Sequence, residues 1–257
     1  MSGRAGEHPG TPDTPGTNAA VWKSGEGVAH FVAMARSHEQ RFAAARRLMA
    51  ELLPFAEEDS FTFADLGAGT GAAARAVLER YPRARAVLAD FSAEMMAEGE
   101  RELAAFAGRY RYVEFDLAGG AWPDGLPDPA AAVISSLCVH HLPDGRKRQL
   151  FGEIFARLAP GGWYLNFDPV DAGDPVVAET WQRVSDLRDP EAAAKRAHRS
   201  PQDQLRWENH VRYLIPLAPQ VEFLRAAGFE AVDVYWKELD YVIYGGRRPP
   251  AASGQAR

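Results

Sequence analysis

Residues Phe61 to Gly71 read Phe-Thr-Phe-Ala-Asp-Leu-Gly-Ala-Gly-Thr-Gly, and an alanine-rich run follows. A short apolar strand therefore meets an acidic residue, then glycines at alternate positions, then a helix. Glycine has no Cβ, so the turn is tight and a ligand approaches the backbone closely. The free N–H groups of a helix that opens just after such a turn point at that ligand. This arrangement is suited to gripping a nucleotide-like cofactor, and it predicts an α/β fold with a parallel sheet.

The spacing is GxGxG, which differs from the GxGxxG of dinucleotide binders. Further apolar stretches follow in order. Arg85–Ala89 ends in Asp90, whose carboxylate is placed to accept hydrogen bonds from ribose hydroxyls. Arg111–Phe115 ends in Asp116. Ala130–Ser136 leads into Leu137-Cys138-Val139-His140-His141-Leu142-Pro143. Leu158-Ala159-Pro160-Gly161-Gly162 reads as a turn feeding a strand over Trp163–Phe167. Val221–Phe229 reads as a helix stopped by Gly228. Val232–Trp236 and Tyr241–Tyr244 read as two last strands joined by a hairpin through Glu238 to Asp240.

In order and spacing these motifs resemble the class I S-adenosylmethionine (SAM) dependent methyltransferases, from about Phe61 to Arg247. The resemblance implies a doubly wound, mostly parallel seven-stranded sheet with an antiparallel terminal hairpin. It implies SAM as the cofactor, and it assigns residues to it. Gly67, Ala68, Gly69 and Gly71 form the turn under the methionine moiety, and Asp65 holds its ammonium group. Asp90 takes the ribose. Asp116 and Leu117 read the adenine edge, with Phe91 and Met95 flanking the ring. The Ser135 carbonyl faces the methionine end.

His140, His141 and Asp168 are the catalytic candidates. An imidazole past the fourth strand lies at the carboxyl edge of the sheet, where ligands bind, and accepts a proton near neutral pH. The alternative for either histidine is loop packing, and for Asp168 a helix cap. Asn166, Trp207, His210 and Tyr213 are the substrate candidates. No cysteine pair or regular His/Asp/Glu spacing points to a metal.

The chain divides into a tail over 1–18, N-terminal helices over 19–55, a SAM-binding core over 56–170, a helical insertion over 171–219, a helix and hairpin over 220–247, and a tail over 248–257. In the second segment Phe42, Ala45, Met49, Leu52 and Leu53 recur at helical spacing. Trp22, Phe31 and Met34 suggest a further short helix that folds over the cofactor mouth or packs on the sheet edge. The insertion is too long for a structureless loop in a compact domain, so it reads as a cap over the site.

The function expected is methyl transfer to an oxygen, nitrogen or carbon of a small, partly apolar molecule, such as a specialised metabolite. Three alternatives stay open: a SAM-using enzyme of another displacement type, a tRNA-modifying enzyme, and a non-catalytic SAM-binding partner. A formal charge of −6 argues against nucleic acid as the main ligand. A single cysteine, Cys138, excludes an intrachain disulfide and fits a cytoplasmic setting. No apolar run approaches the roughly 20 residues of a membrane span. A homodimer stays open.

Overall fold

The computed structural model of the chain describes residues 42–119 and 122–251. In chain order, α1 covers residues 42–51, β1 Thr62–Leu66, α2 Ala72–Arg80, β2 Arg85–Asp90, α3 Ala93–Glu102, β3 Tyr110–Glu114 and β4 Ala130–Ser136. They are followed by α4 at Asp144–Arg157, β5 at Leu158–Pro169, α5 at Pro175–Arg188, α6 at Pro190–Ala197, α7 at Pro201–Val211, α8 at Leu217–Ala227, β6 at Glu230–Glu238 and β7 at Tyr241–Arg247.

The strands form one seven-stranded sheet in the order β3-β2-β1-β4-β5-β7-β6. The first five pair in parallel, while β7 runs antiparallel to both β5 and β6. The chain winds outward from β1 in one direction, then returns to start again at β4. That reversal leaves a crevice beyond the carboxyl ends of β1 and β4, where open α/β sheets place their ligands.

Alternation along the strands assigns the two faces. On one, Phe63, Leu88, Ile134, Leu165 and Phe167 pack with Phe42 and Met49 of α1 and Val77 of α2. On the other, Leu66, Val87, Val133, Tyr164 and Tyr244 pack with Leu150, Phe151 and Ile154 of α4 and Leu224 of α8. Each large side chain buried in this way contributes roughly 1.5–3 kcal/mol as an upper estimate.

Local signals set the helix ends. Ser92 caps α3 by accepting from Met95 N at 3.2 Å. Gly228 ends α8 at φ 104°, a left-handed conformation suited to glycine. The helical spacing of Phe42, Ala45, Met49 and Leu53 is realised in α1 and the turn after it, and all four are buried. The expected turn at Leu158–Gly162 is instead the start of β5, with a register shift opposite Ala130 and Ala132 that absorbs the two glycines. Arg248, expected to begin the tail, is tied to the core by its N–H to the Gly162 carbonyl at 2.8 Å. The helix expected around Trp22, Phe31 and Met34 lies outside the described residues, as does the 1–18 tail.

The insertion folds as α5, α6 and α7. Each begins with a capping residue followed by proline, at Asp174-Pro175, Asp189-Pro190 and Ser200-Pro201. Proline at the first helical position has no N–H to leave unsatisfied, and the capping oxygen accepts one of the remaining free donors.

Candidate functional site

The cavity beyond the β1/β4 reversal is walled by the glycine turn. Gly67, Gly69 and Gly71 all have positive φ, at 66°, 53° and 79°. Packing adds to this at Gly67 and Gly71. A Cβ on Gly67 would lie 1.9 Å from Cys138 Sγ, and one on Gly71 2.5 Å from Leu103 Cδ1. Gly67, Ala68 and Gly69 line the cavity, whereas Gly71 is the left-handed N-cap of α2 and packs away from it. The Tyr112 hydroxyl on β3 braces the turn from outside by donating to the Gly69 carbonyl at 3.0 Å.

Two buried carboxylates stand beside the turn. Asp90 accepts from Gly69 N at 2.7 Å and from Ser92 N at 2.9 Å, so one side chain fixes both the turn and the start of α3. Burial raises its pKa, and these backbone donors oppose the rise. Asp65 is fully buried; its Oδ2 accepts from Ala74 N at 3.0 Å, and its Oδ1 has no partner among the described residues. Burial raises its pKa to about 7, against the Ala74 hydrogen bond and the Arg46 charge.

On the adjoining wall are Phe91, Met95, Asp116 and Leu117. The far wall is formed by Ser136, Leu137, Cys138 and His141. Ser135, whose carbonyl was expected at the methionine end, is not among these wall residues; its hydroxyl donates to the Leu66 carbonyl at 2.8 Å, joining β4 to β1.

The other catalytic and substrate candidates form a network behind His141. Asp168 Oδ1 accepts from His140 Nδ1 at 2.8 Å, and Oδ2 accepts from His140 N at 3.0 Å and from Asn166 Nδ2 at 2.9 Å. Asn166 Nδ2 also donates to the Tyr244 hydroxyl at 3.0 Å, which donates to Gln220 Oε1 at 2.6 Å. Burial pushes Asp168 up to about 6 and His140 well below its ordinary range. The pair is therefore a neutral imidazole donating to a carboxylate. Asn166 and Asp168 are fully buried and are not among the cavity-lining residues; Asp168 holds His140, next to the cavity-lining His141.

Residues 63–162 match the family model described as a methyltransferase domain. That segment is similar to a methyltransferase domain and takes in the glycine turn, Asp90, Asp116 and the His140–His141 turn. Over 111 residues it is 36% identical to the demethylmenaquinone methyltransferase of Thermus thermophilus, covering 42% of this chain and 48% of that protein. Over 124 residues it is 32% identical to the trans-aconitate 2-methyltransferase of an Azoarcus species, covering 48% and 44%. The chain thus spans about half the length of the curated relatives it matches. Among solved structures, it resembles an O-methyltransferase family protein from Burkholderia thailandensis with TM-score 0.62 at 18% identity, over 89% of this chain and 64% of that one. It also resembles human N-acetylserotonin methyltransferase in complex with SAM, with TM-score 0.60 at 17% identity, over 90% and 58%.

Within and beside the matched segment, the structure adds residues that the motifs did not indicate. Arg46 of α1 is 8% exposed, lines the cavity, and donates from Nε to Ser136 Oγ at 3.4 Å. Its signal is weak: a lone arginine on the buried face of an amphipathic helix. The insertion contributes His210, whose ring centroid lies 4.9 Å from that of His140 and 5.3 Å from that of His141. Trp207 is 41% exposed, with the Arg199 guanidinium over its ring at 4.4 Å. The Tyr213 carbonyl accepts from the buried Lys147 ammonium, which places Tyr213 against α4 and off the cavity wall. No helix among the described residues is long and apolar enough to cross a membrane.

Proposed function

We propose that the chain binds SAM in this cavity and transfers its methyl group to an oxygen, nitrogen or carbon of a small, partly apolar acceptor. The observation that carries this reading is the convergence on one cavity of Asp65, Asp90 and His141, two buried carboxylates facing an imidazole wall. The fit to the cofactor rests on Asp65, whose buried Oδ1 has no partner among the described residues and suits an ammonium group. Asp90 fits the ribose, and Phe91, Met95, Asp116 and Leu117 fit the adenine. Arg46 fits the methionine carboxylate.

SAM supplies a methyl already activated by its sulfonium. The protein's task is then to hold the acceptor in line with that methyl and to keep water out, and positioning supplies most of the acceleration. Burial holds the His141 pKa well below its ordinary value. At neutral pH His141 is therefore an uncharged proton acceptor, and a weak one. This favours acceptors whose nucleophile is already anionic or readily becomes so, such as a carboxylate or an acidic hydroxyl. His140 and Asp168 act as positioning residues that fix the turn carrying His141. The insertion over 171–219 serves as the cap that selects the acceptor, with Trp207 and His210 as its contributions.

Mass spectrometry of the purified chain with SAM and a panel of carboxylic and phenolic acceptors tests this. The expected products are S-adenosylhomocysteine and an acceptor heavier by one methylene unit. Methylthioadenosine above its spontaneous rate would mean that a different group is displaced, and the reading would be wrong.

A further inference from the structure

Three imidazoles meet where the insertion touches the edge of the sheet. His140 and His141 stand on the single 3-10 turn after β4, and His210 stands in the last turn of α7. One ring nitrogen from each lies within 4.8 Å of the other two. Nothing in the sequence spacing indicates this, because His210 arrives from a helix distant in the chain.

His140 is held in a particular way. Its Nδ1 is engaged by Asp168 at 2.8 Å. Its Nε2 is buried and has no hydrogen-bond partner among the described residues, on a side chain 3% exposed. A buried acceptor without a donor costs about 1–3 kcal/mol, so its persistence calls for an occupant. An imidazole oriented by a carboxylate through one nitrogen, with the other nitrogen left bare, is how metal-ligating histidines are fixed.

We propose that His140, His141 and His210 form a three-histidine centre for a borderline divalent transition-metal ion, with zinc the best match. Neutral nitrogen donors suit zinc, cobalt or ferrous iron, whereas calcium and magnesium require oxygen donors. Asp168 supplies negative charge from behind His140. Two nitrogens on a tetrahedral zinc ion stand about 3.3 Å apart, so the largest gap must close by about 1.5 Å. The movement required is a rotamer adjustment of His210 with a small approach of α7.

Three protein ligands leave a fourth position open, as in catalytic zinc sites. His141 also lines the cavity, so that position belongs to the same chamber as the glycine turn. A water or acceptor oxygen there would be acidified by the ion, supplying the proton loss that a weakly basic His141 cannot. The ion would also pin α7 to the sheet. The existence of the centre rests on geometry and does not require methyl transfer.

The test uses the full chain without a histidine tag, stripped with a chelator and titrated with Co(II). The expected result is one equivalent bound at micromolar concentration, with visible bands of a low-coordinate cobalt ion that one equivalent of Zn(II) abolishes. His210→Ala is expected to weaken Co(II) binding at least tenfold, as even outer partners of a metal do when removed, while SAM binding by calorimetry is unchanged. His210→Cys is expected to restore binding and to add a sulfur-to-cobalt charge-transfer band. No stoichiometric binding by the parent chain, binding indifferent to His210→Ala, or His210→Cys without the new band would each overturn the proposal. Each variant is read where its circular dichroism matches that of the parent.

Discussion

Around the glycine turn, polar atoms are held mostly by backbone. Asp90 spans Gly69 N and Ser92 N, Asp65 takes Ala74 N, and Tyr112 reaches the Gly69 carbonyl. In α5, α6 and α7, by contrast, no residue is buried, and Val176, Val177, Leu187, Leu205 and Trp207 are exposed. The first region is fixed by sheet register, so a change at one atom propagates through the turn. The second hangs on its own caps and a few side-chain contacts, such as Lys237 over the Trp181 ring at 4.4 Å and the Arg188–Glu238 pair. One scaffold can therefore keep its cofactor half constant while its insertion varies.

The harshest test of that contrast is Gly67→Ala. The new Cβ would fall 1.9 Å from Cys138 Sγ and 2.5 Å from its Cβ, at a φ of 66°. Overpacking and a left-handed non-glycine residue together cost roughly 2–5 kcal/mol, read as a fall in thermal midpoint and loss of SAM binding. Adding Cys138→Gly removes the clash and leaves the backbone strain, so partial recovery is expected. A Gly67→Ala chain that melts and binds SAM like the parent would mean that the turn is as tolerant as the insertion.

Asp90→Ala comes next. It deprives two backbone N–H groups of their acceptor and removes the carboxylate proposed to hold the ribose. Each buried donor left unpaired costs about 1–3 kcal/mol. SAM affinity is expected to fall tenfold or more, together with stability, in paired calorimetry and melting experiments. Unchanged affinity would remove Asp90 from the cofactor site.

Asp65 sharpens the contrast through pH. Burial pushes its pKa in the folded chain up to about 7, above the ordinary carboxylate range, so folding favours the protonated acid. Without ligand, stability is fully present below about pH 4 and declines as pH rises towards 7, by an amount on the order of 2–4 kcal/mol. Binding of a cation favours the carboxylate, so SAM affinity should tighten as pH rises through about 7 and then level off. Asp65→Asn should abolish both slopes. A parent chain whose SAM affinity is flat between about pH 6 and 8 would rule out an ammonium contact at Asp65.

The same division decides what the sequence could reveal. Asp65, Asp90, Ser92 and the glycines act on neighbours a few residues away or on the adjacent strand, so motif and spacing place them. Ser135 and Ser136 differ by one position, and strand alternation sends one to β1 and the other to the cavity. Arg46, Tyr112 and Cys138 owe their roles to packing between elements. Arg46 enters from α1, packed on one face of the sheet, and Cys138 fills the space that Gly67 leaves. His210 meets His140 and His141 only because α7 folds back over the turn after β4, and the residue pattern of α7 does not encode that approach.

Trp207→Ala carries the smallest effect and bears most directly on the insertion. The indole is 41% exposed; the Arg199 guanidinium lies over it at 4.4 Å and the His210 ring at 5.8 Å. An exposed cation–π pair is worth about 0.5–1 kcal/mol, so the thermal midpoint should move by no more than a few degrees. SAM affinity should stay at the parent value, because no atom of α7 belongs to the glycine turn or to Asp90. If the insertion selects the acceptor, the apparent KM for a methylated acceptor should rise while that for SAM does not. A loss of SAM affinity as large as that of Asp90→Ala would instead show that α7 and the glycine turn are energetically one unit. The cap would then close on the cofactor itself, and acceptor choice and cofactor grip could not vary independently.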